Sequence, residues 1–182
     1  MGAVVAFCSQ TGSAKRYADW LAVELGCRMV PLEQIEVVAA DADLVVLCSW
    51  FHAASLKGAK RFRAYMAAHG EKRYAVVAVG ATPMPSELWP ASEHEEAFRR
   101  SFPAGAYPDM PWCYCQGGFH FERLGAVDKA MMRIYFKMLE GEARKGDQRS
   151  GTALAQMREG YDGCERSYLD PLVTELRARG WA

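Results

Sequence analysis

The sequence predicts an α/β domain with a doubly wound, five-stranded parallel sheet and helices on both faces. Three observations point there: short, almost continuous apolar runs, amphipathic stretches alternating with them, and a turn rich in hydroxyls and glycine directly after the first run. No internal repeat and no linker between two cores breaks the alternation.

The elements follow in order. Val4 to Cys8 is an apolar run that suits a strand buried on both faces. A helix from about Ser13 to Leu25 places Ala14, Tyr17, Ala18, Leu21, Ala22 and Leu25 on one side, and Gly26 ends it. Arg28 to Leu32 can be a second strand. Leu44-Val45-Val46-Leu47-Cys48 is the clearest buried strand of the chain. The next helix runs from about Leu56 to His69, with Phe62, Tyr65, Met66 and His69 along one side and Gly70 as its stop. Tyr74 to Gly80 repeats the strand signal. Ser92 to Phe102 reads as helix, Trp112 to Phe119 as a fifth strand, and Tyr168 to Arg179 as a last helix that buries Leu169, Leu172, Val173 and Leu176. Gly141 to Gly163 is polar and carries glycines, and it reads either as a long ordered loop around a short helix or as partly mobile.

The bulk composition narrows the function. The 182 residues suffice for one domain with a proper core. The 22 basic residues balance the 22 acidic ones, which gives no field to draw the chain to nucleic acid. That balance also counts against a strongly acidic electron shuttle. The first strand begins at once, without a basic segment leading into a long apolar one, and no signal peptide is expected. No apolar run approaches the roughly 20 residues that span a bilayer. Six scattered cysteines in a chain able to fold without staples point to reduced thiols and a cytoplasmic setting.

In sheets of this kind ligands bind beyond the carboxyl ends of the strands, where the strand order reverses. The turn Ser9-Gln10-Thr11-Gly12-Ser13-Ala14 stands at such a place. Ser9, Thr11 and Ser13 offer three hydroxyls, Gly12 lets backbone approach a ligand, and the helix start favours an anion. The spacings of a P-loop and of a dinucleotide fingerprint are both absent. Taken alone, the turn reads equally well as a helix N-cap or as a phosphate site.

Ser9, Thr11, Gly12 and Ser13 behind an apolar strand resemble the FMN phosphate loop of flavodoxins. That loop runs hydroxyl, any residue, threonine, glycine, any residue, hydroxyl; Ala14 departs from it at the last position. The chain is most similar to the flavodoxin-type protoporphyrinogen oxidases. Gly117-Gly118-Phe119-His120-Phe121 and the helix with Asp128, Lys129, Met132 and Lys137 resemble the late insertion of that group. The resemblance implies a flavodoxin-like sheet of order 2-1-3-4-5, a single domain over 1–182 with a helical insertion at about 120–163, and FMN as cofactor.

On that fold the loops after the third and fourth strands flank the flavin ring. The first is Ser49 to Ser55, where Trp50, Phe51 and His52 suit contact with a planar ligand. Ala53 stands near the point where the family often carries glycine, and alanine makes positive φ costly. Lys57, Lys60, Arg61 and Arg63 follow and would give the ring a positive setting. The second loop, Gly80-Ala81-Thr82-Pro83-Met84-Pro85, offers backbone and one hydroxyl to the ring edge, with its shape held by two prolines.

Cys113 and Cys115 alternate on one strand and face the same way. Their spacing is not that of a zinc site, so no metal is expected, and buried thiols or a redox role are the readings that stay open. Cys8 and Cys48 read as buried small hydrophobes, His94 as part of a solvated helix start, and His69 as a cation at a helix end. In the helix Ala126 to Leu139, Val127, Met131, Ile134 and Met138 form a stripe widened by Met132, Tyr135, Phe136 and Leu139. Lys129, Arg133 and Lys137 occupy the other face. Core packing accounts for one stripe; a substrate wall, a homodimer contact and a membrane-surface helix stay open for the remainder.

The resemblance favours an FMN oxidoreductase that oxidises a porphyrinogen-like or other small hydrophobic substrate and passes electrons to a quinone, peripherally at the inner face of the membrane. Two alternatives stay beside it. One is an NAD(P)H-dependent quinone reductase, whose nicotinamide needs an open face that a bulky insertion would obstruct. The other is a non-enzymatic electron-transfer or sensing module with a redox partner protein, or a form that binds nothing. No residue is assigned as catalytic.

Overall fold

The computed structural model describes residues 2–52 and 55–182, which divide into two compact units. The first spans residues 2–117 and 164–182, and the second is Gly118–Gly163.

In the first unit, β1 (Ala3–Cys8), β2 (Arg28–Pro31), β3 (Leu44–His52), β5 (Arg73–Gly80) and β6 (Trp112–Gln116) form a parallel sheet of order β2-β1-β3-β5-β6. A short β4 (Ser55–Leu56) pairs antiparallel with the end of β3. Helices α1 (Ser13–Glu24), α2 (Ile35–Val38), α3 (Ala59–Ala68), α4 (Ala91–Ser101) and α7 (Asp170–Ala178) complete the unit.

Strand alternation builds two cores. Val4, Ala6, Val45, Leu47 and Val76 face Phe62 of α3 and Phe98 of α4. Val5, Val46, Val77 and Cys115 face Tyr17 and Leu21 of α1 together with Leu172 and Leu176 of α7. Both faces of each central strand are covered, which is why these strands read as continuous apolar runs and not as alternating ones.

Several boundaries differ from the sequence reading. β3 continues through Trp50, Phe51 and His52 instead of turning into loop at Ser49, because Phe51 and His52 pair with Leu56 and Ser55. The next helix therefore begins at Ala59 and not at Leu56; Gly58, with φ at 73°, makes the turn into it. The fifth strand stops at Gln116, and Gly118–Phe119 belongs to a separate β7.

The second unit pairs β7 (Gly118–Phe119) with β8 (Tyr161–Asp162) and carries two helices, α5 (Ala126–Arg144) and α6 (Gln148–Glu159). The short helix expected within Gly141 to Gly163 is present as the twelve-residue α6, and the end of α5 takes up more of the stretch that was expected to be loop. Asp147 caps α6 by accepting from the Ser150 amide at 3.1 Å, and Gly160 ends it. Gly151 and Thr152 inside the helix weaken its sequence signal.

Candidate functional site

The strand register brings four strand ends to one edge of the sheet. Cys8 pairs with Ser49, Trp50 with Val79, and Gly80 with Gln116. The segments leaving β1, β3, β5 and β6 start from that edge.

The hydroxyl turn after β1 is held from within. The Gly12 amide donates to Ser9 Oγ at 3.2 Å, and Gly12 adopts φ of 101°, a conformation that favours glycine. Gly12 is the N-cap of α1 and has no side chain to accept from the first amides of this 12-residue helix. The first turn holds no acidic residue, and Lys15 and Arg16 lie in it. The helix start thus presents amide dipoles and positive charge. Gln10, Thr11 and Gly12 are exposed, and Ser13 is half-buried. The Ala14 side chain is buried in the core beside Val5 and Leu21, so only its backbone stands at the turn.

Two contacts hold this turn against the end of β6. Tyr17 donates its phenol proton to the Gln116 carbonyl at 2.6 Å and accepts from the Glu165 amide at 3.0 Å. Burial pushes that phenol well above its ordinary value. At Gly117 an added Cβ would lie 3.2 Å from Ser13 Cβ and 3.0 Å from Val79 Cγ1, so a bare backbone permits the close approach.

Trp50, Phe51 and His52 do not line one surface. Alternation along β3 sends Trp50 to the face of α1, where its ring meets the His52 ring edge-on at 5.3 Å. Phe51 packs on the opposite face, 6.4 Å from the ring of Tyr114. Ala53 lies outside the described residues. Arg61 donates to the Glu33 carbonyl at 2.9 Å and Lys60 is exposed, whereas Lys57 is tied by its backbone to β3. The Lys57 amide donates to the Trp50 carbonyl at 3.0 Å.

The segment after β5 is shaped by side chains from neighbouring elements more than by its prolines. Tyr114 donates to the Thr82 carbonyl at 2.5 Å, and the Met84 amide donates to Gln116 Oε1 at 3.3 Å. His94 Nε2 lies 3.0 Å from the Pro83 carbonyl; that oxygen can only accept, so Nε2 carries the proton. The His94 ring also sits 4.0 Å from the ring of Tyr114. A Cβ at Gly80 would meet Tyr114 Oη at 2.6 Å, which reserves that position for glycine while the tyrosine crosses it.

His94 is therefore not solvated. It is 5% exposed, and its Nδ1 has no hydrogen-bond partner among the described residues. The signal was available in its spacing: His94, Phe98 and Ser101 fall on the buried side of α4. His69 does end its helix, 3.3 Å from Glu36. Tyr17, Tyr114 and Gln116 were overlooked as positioning groups, because their partners lie far away in sequence.

The thiols are packed. Cys113 Sγ and Cys115 Sγ are 3.7 Å apart on the face of α7, and burial pushes Cys115 and Cys48 well up. Cys8 is half-buried at the edge; burial chiefly, then the Glu33 carboxylate, raises its thiol against the opposing pull of Lys57 and Ser49. Thiols raised in this way remain protonated near neutrality and are poor nucleophiles. Among the described residues, no three His, Cys, Asp or Glu side chains are grouped to hold a metal ion. No described helix is long and apolar enough to cross a membrane.

A family model described as flavodoxin domain matches residues 4–145. No curated protein matches the chain. Similar solved structures include the Trp repressor binding protein from Bacillus subtilis, 14% identical, covering 64% of this chain and 83% of that one with a TM-score of 0.38. Another is a putative flavoprotein from Bacteroides eggerthii, 14% identical, covering 62% of this chain and 85% of its own with a TM-score of 0.38. The flavodoxin, WrbA-like protein from Agrobacterium tumefaciens is 13% identical, covering 84% and 96% of the two chains with a TM-score of 0.39.

Proposed function

The chain belongs to the flavodoxin domain family, and from that membership we propose that it holds FMN as the cofactor of an oxidoreductase. The observation that carries the reading is the turn after β1: exposed hydroxyl-bearing backbone, Gly12 at φ of 101°, and a helix start with no side-chain cap and no acidic first turn. These features fit a phosphate ester, which takes hydrogen bonds from amides and hydroxyls and gains from the helix dipole. Ser9, Gln10, Thr11, Gly12 and Ser13 would hold the phosphate, with the Ala14 amide as the contribution of a buried residue.

The strand ends beside that turn would receive the ring. Trp50 and His52 extend from β3 on the face of α1, and Gly80, Ala81 and Thr82 follow β5 at the same edge of the sheet. Phe51 supports the site from the opposite face through Tyr114. FMN, when bound, supplies the electron transfer, and the protein's part is to orient the ring and set its surroundings. Tyr114 and His94 fix the carbonyls of Thr82 and Pro83, so the segment at the ring edge is shaped before a ligand arrives.

The finer reading is oxidation of a porphyrinogen-like or other hydrophobic substrate with a quinone as acceptor. Its support is the resemblance of Gly117 to Phe121 and of the following helix to the insertion of protoporphyrinogen oxidases.

The purified full chain is expected to be yellow, or to take up FMN on titration with quenching of flavin fluorescence. A colourless protein that takes up no FMN would overturn the reading. Anaerobic mixing with a porphyrinogen and a quinone tests the substrate class. Turnover with NAD(P)H and a quinone, and none with the porphyrinogen, would assign it as a quinone reductase instead.

A further inference from the structure

Cys113 and Cys115 occupy alternate positions of β6, so strand alternation brings both side chains to the face of α1 and α7. Their sulfurs are in contact, 3.7 Å apart, within the cluster that holds Leu172, Val173 and Leu176. Cys115 is fully buried and donates its S–H to the Tyr168 carbonyl at 3.6 Å. A thiol carries one hydrogen, so with that proton given to Tyr168 the contact between the sulfurs uses the Cys113 proton. The Cys115 sulfur therefore turns its lone pairs toward Cys113.

The backbone spacing suits a bond between them. Two residues apart on a strand, α-carbons lie about 6.6 Å from each other, inside the span of about 4.4–6.8 Å that disulfides usually bridge. β6 is also the last strand of its sheet, with β5 as its neighbour, and it is bounded by Pro111 and Gly117. Such an edge strand opens at a lower cost than a central one. While the fold is closed the pair is inert, as its burial requires. An opening of β6 brings Cys113, the less buried of the two at 7% exposure, into water as an ionisable thiol.

We propose that Cys113 and Cys115 form a redox-active dithiol that a hydroperoxide converts to a disulfide. During an opening of β6 the Cys113 thiolate attacks the peroxide. The O–O bond breaks, the sulfur keeps one oxygen as a sulfenic acid, and the other oxygen takes up a proton and leaves as water or an alcohol. The Cys115 sulfur then attacks the Cys113 sulfur: the S–S bond forms, the S–O bond breaks, and the hydroxyl departs as water with the Cys115 proton. Two electrons pass from the thiols to the peroxide, and an added dithiol returns them by exchange. Oxidation removes the donor to the Tyr168 carbonyl, in the segment whose Glu165 amide donates to Tyr17. The disulfide thereby loosens the joint that braces the hydroxyl turn. The inference rests on β6 and its neighbours and not on the cofactor.

The test treats the full chain with hydrogen peroxide, alkylates the remaining thiols after denaturation, and digests with trypsin without reductant. Cys113 and Cys115 share one tryptic peptide, Ser101 to Arg123, which holds no other cysteine. That peptide is expected to lose two hydrogens and take no alkyl group, and to take two after dithiothreitol. Cys113→Ser leaves Cys115 open to alkylation after the same treatment. Phenylarsine oxide, which bridges two adjacent thiols, needs no variant: added to the native chain and removed before denaturation, it blocks alkylation of the same pair. In the oxidised chain hydrogen exchange at the Glu165 amide speeds several-fold. Double alkylation of the peptide at a peroxide dose that already oxidises half-buried Cys8 or Cys27 would overturn the proposal. So would a sulfinic acid on one cysteine beside a free partner, a bond from either to Cys48 or Cys164, or exchange at Glu165 that the disulfide leaves unchanged. FMN uptake is read separately on the same samples, so loss of the flavin reading leaves the peptide result intact.

Discussion

Tyr17 on α1 donates its hydroxyl proton to the Gln116 carbonyl over 2.6 Å, which ties the helix behind the hydroxyl turn to the end of edge strand β6. The same oxygen accepts from the Glu165 amide, so one phenol joins α1, the end of β6 and the segment that leads into α7. Tyr17→Phe keeps the ring in its fully buried place and leaves two backbone groups without this partner. The expected cost is about 1–3 kcal/mol. It is read as a lower urea midpoint with an unchanged slope, and FMN affinity falls with it because the turn loses its brace.

Two glycines at the turn are expected to fail for different reasons. Gly12 needs positive φ but has nothing within 4 Å of an added Cβ, so backbone strain alone opposes substitution. Gly12→Val should weaken FMN uptake clearly and Gly12→Asn much less, since asparagine tolerates the left-handed region. Gly117 faces contact with Ser13 and Val79, and no substituent fits without moving one of them. Gly117→Ala and Gly117→Asn should therefore both weaken uptake. Titration of the four variants separates strain from crowding, and equal losses at Gly12 for asparagine and valine would remove the strain account.

The sheet and its helices were legible because the information is local. Val45, Val46 and Leu47 form an unbroken apolar run as a strand covered on both faces must, and Tyr17, Ala18 and Leu21 fall on one side of a helix. The turn was legible for the same reason, since hydroxyls, Gly12 and a helix start are adjacent in the chain. What escaped depends on partners distant in sequence. The extension of β3 follows from pairing with Leu56, and the shape of the segment after β5 follows from Tyr114 and His94. His94 looked solvated among Glu93, Glu95 and Glu96, although those neighbours leave the helix on other sides. The short helix expected within Gly141 to Gly163 is α6, but its twelve-residue extent was masked by Gly151 and Thr152, residues that propensity counts against a helix and packing accepts.

His94 offers a test of how the ring-edge segment is shaped. His94→Leu keeps most of the volume and removes the donor to the Pro83 carbonyl. The change should cost about 1–3 kcal/mol and speed hydrogen exchange at the Met84 amide, which depends on the same segment. His94→Gln can still donate and should recover part of the loss. If exchange at Met84 is the same in all three proteins, His94 is a core ring and not a clamp.

Burial of acidic groups in neutral form fixes the direction of pH dependence. Cys48 and Cys115 are fully buried and their thiols are pushed well up, chiefly by burial; the Tyr17 phenol is raised for the same reason. In the unfolded chain the thiols ionise from about pH 8.5 and the phenol from about pH 10. Above those values the unfolded state holds fewer protons than the folded one, so stability falls as pH rises. Below the unfolded values the contribution is complete and stability is level on this account. The urea midpoint should hold near neutrality and then decline above about pH 9, by at most about 1.4 kcal/mol per pH unit for each group. Cys48→Ala removes one of these groups and should shallow the alkaline decline, even if the lost thiol lowers the neutral midpoint. An alkaline decline as steep in Cys48→Ala as in the parent chain would mean that the Cys48 thiol ionises as readily in the folded protein as in the unfolded one.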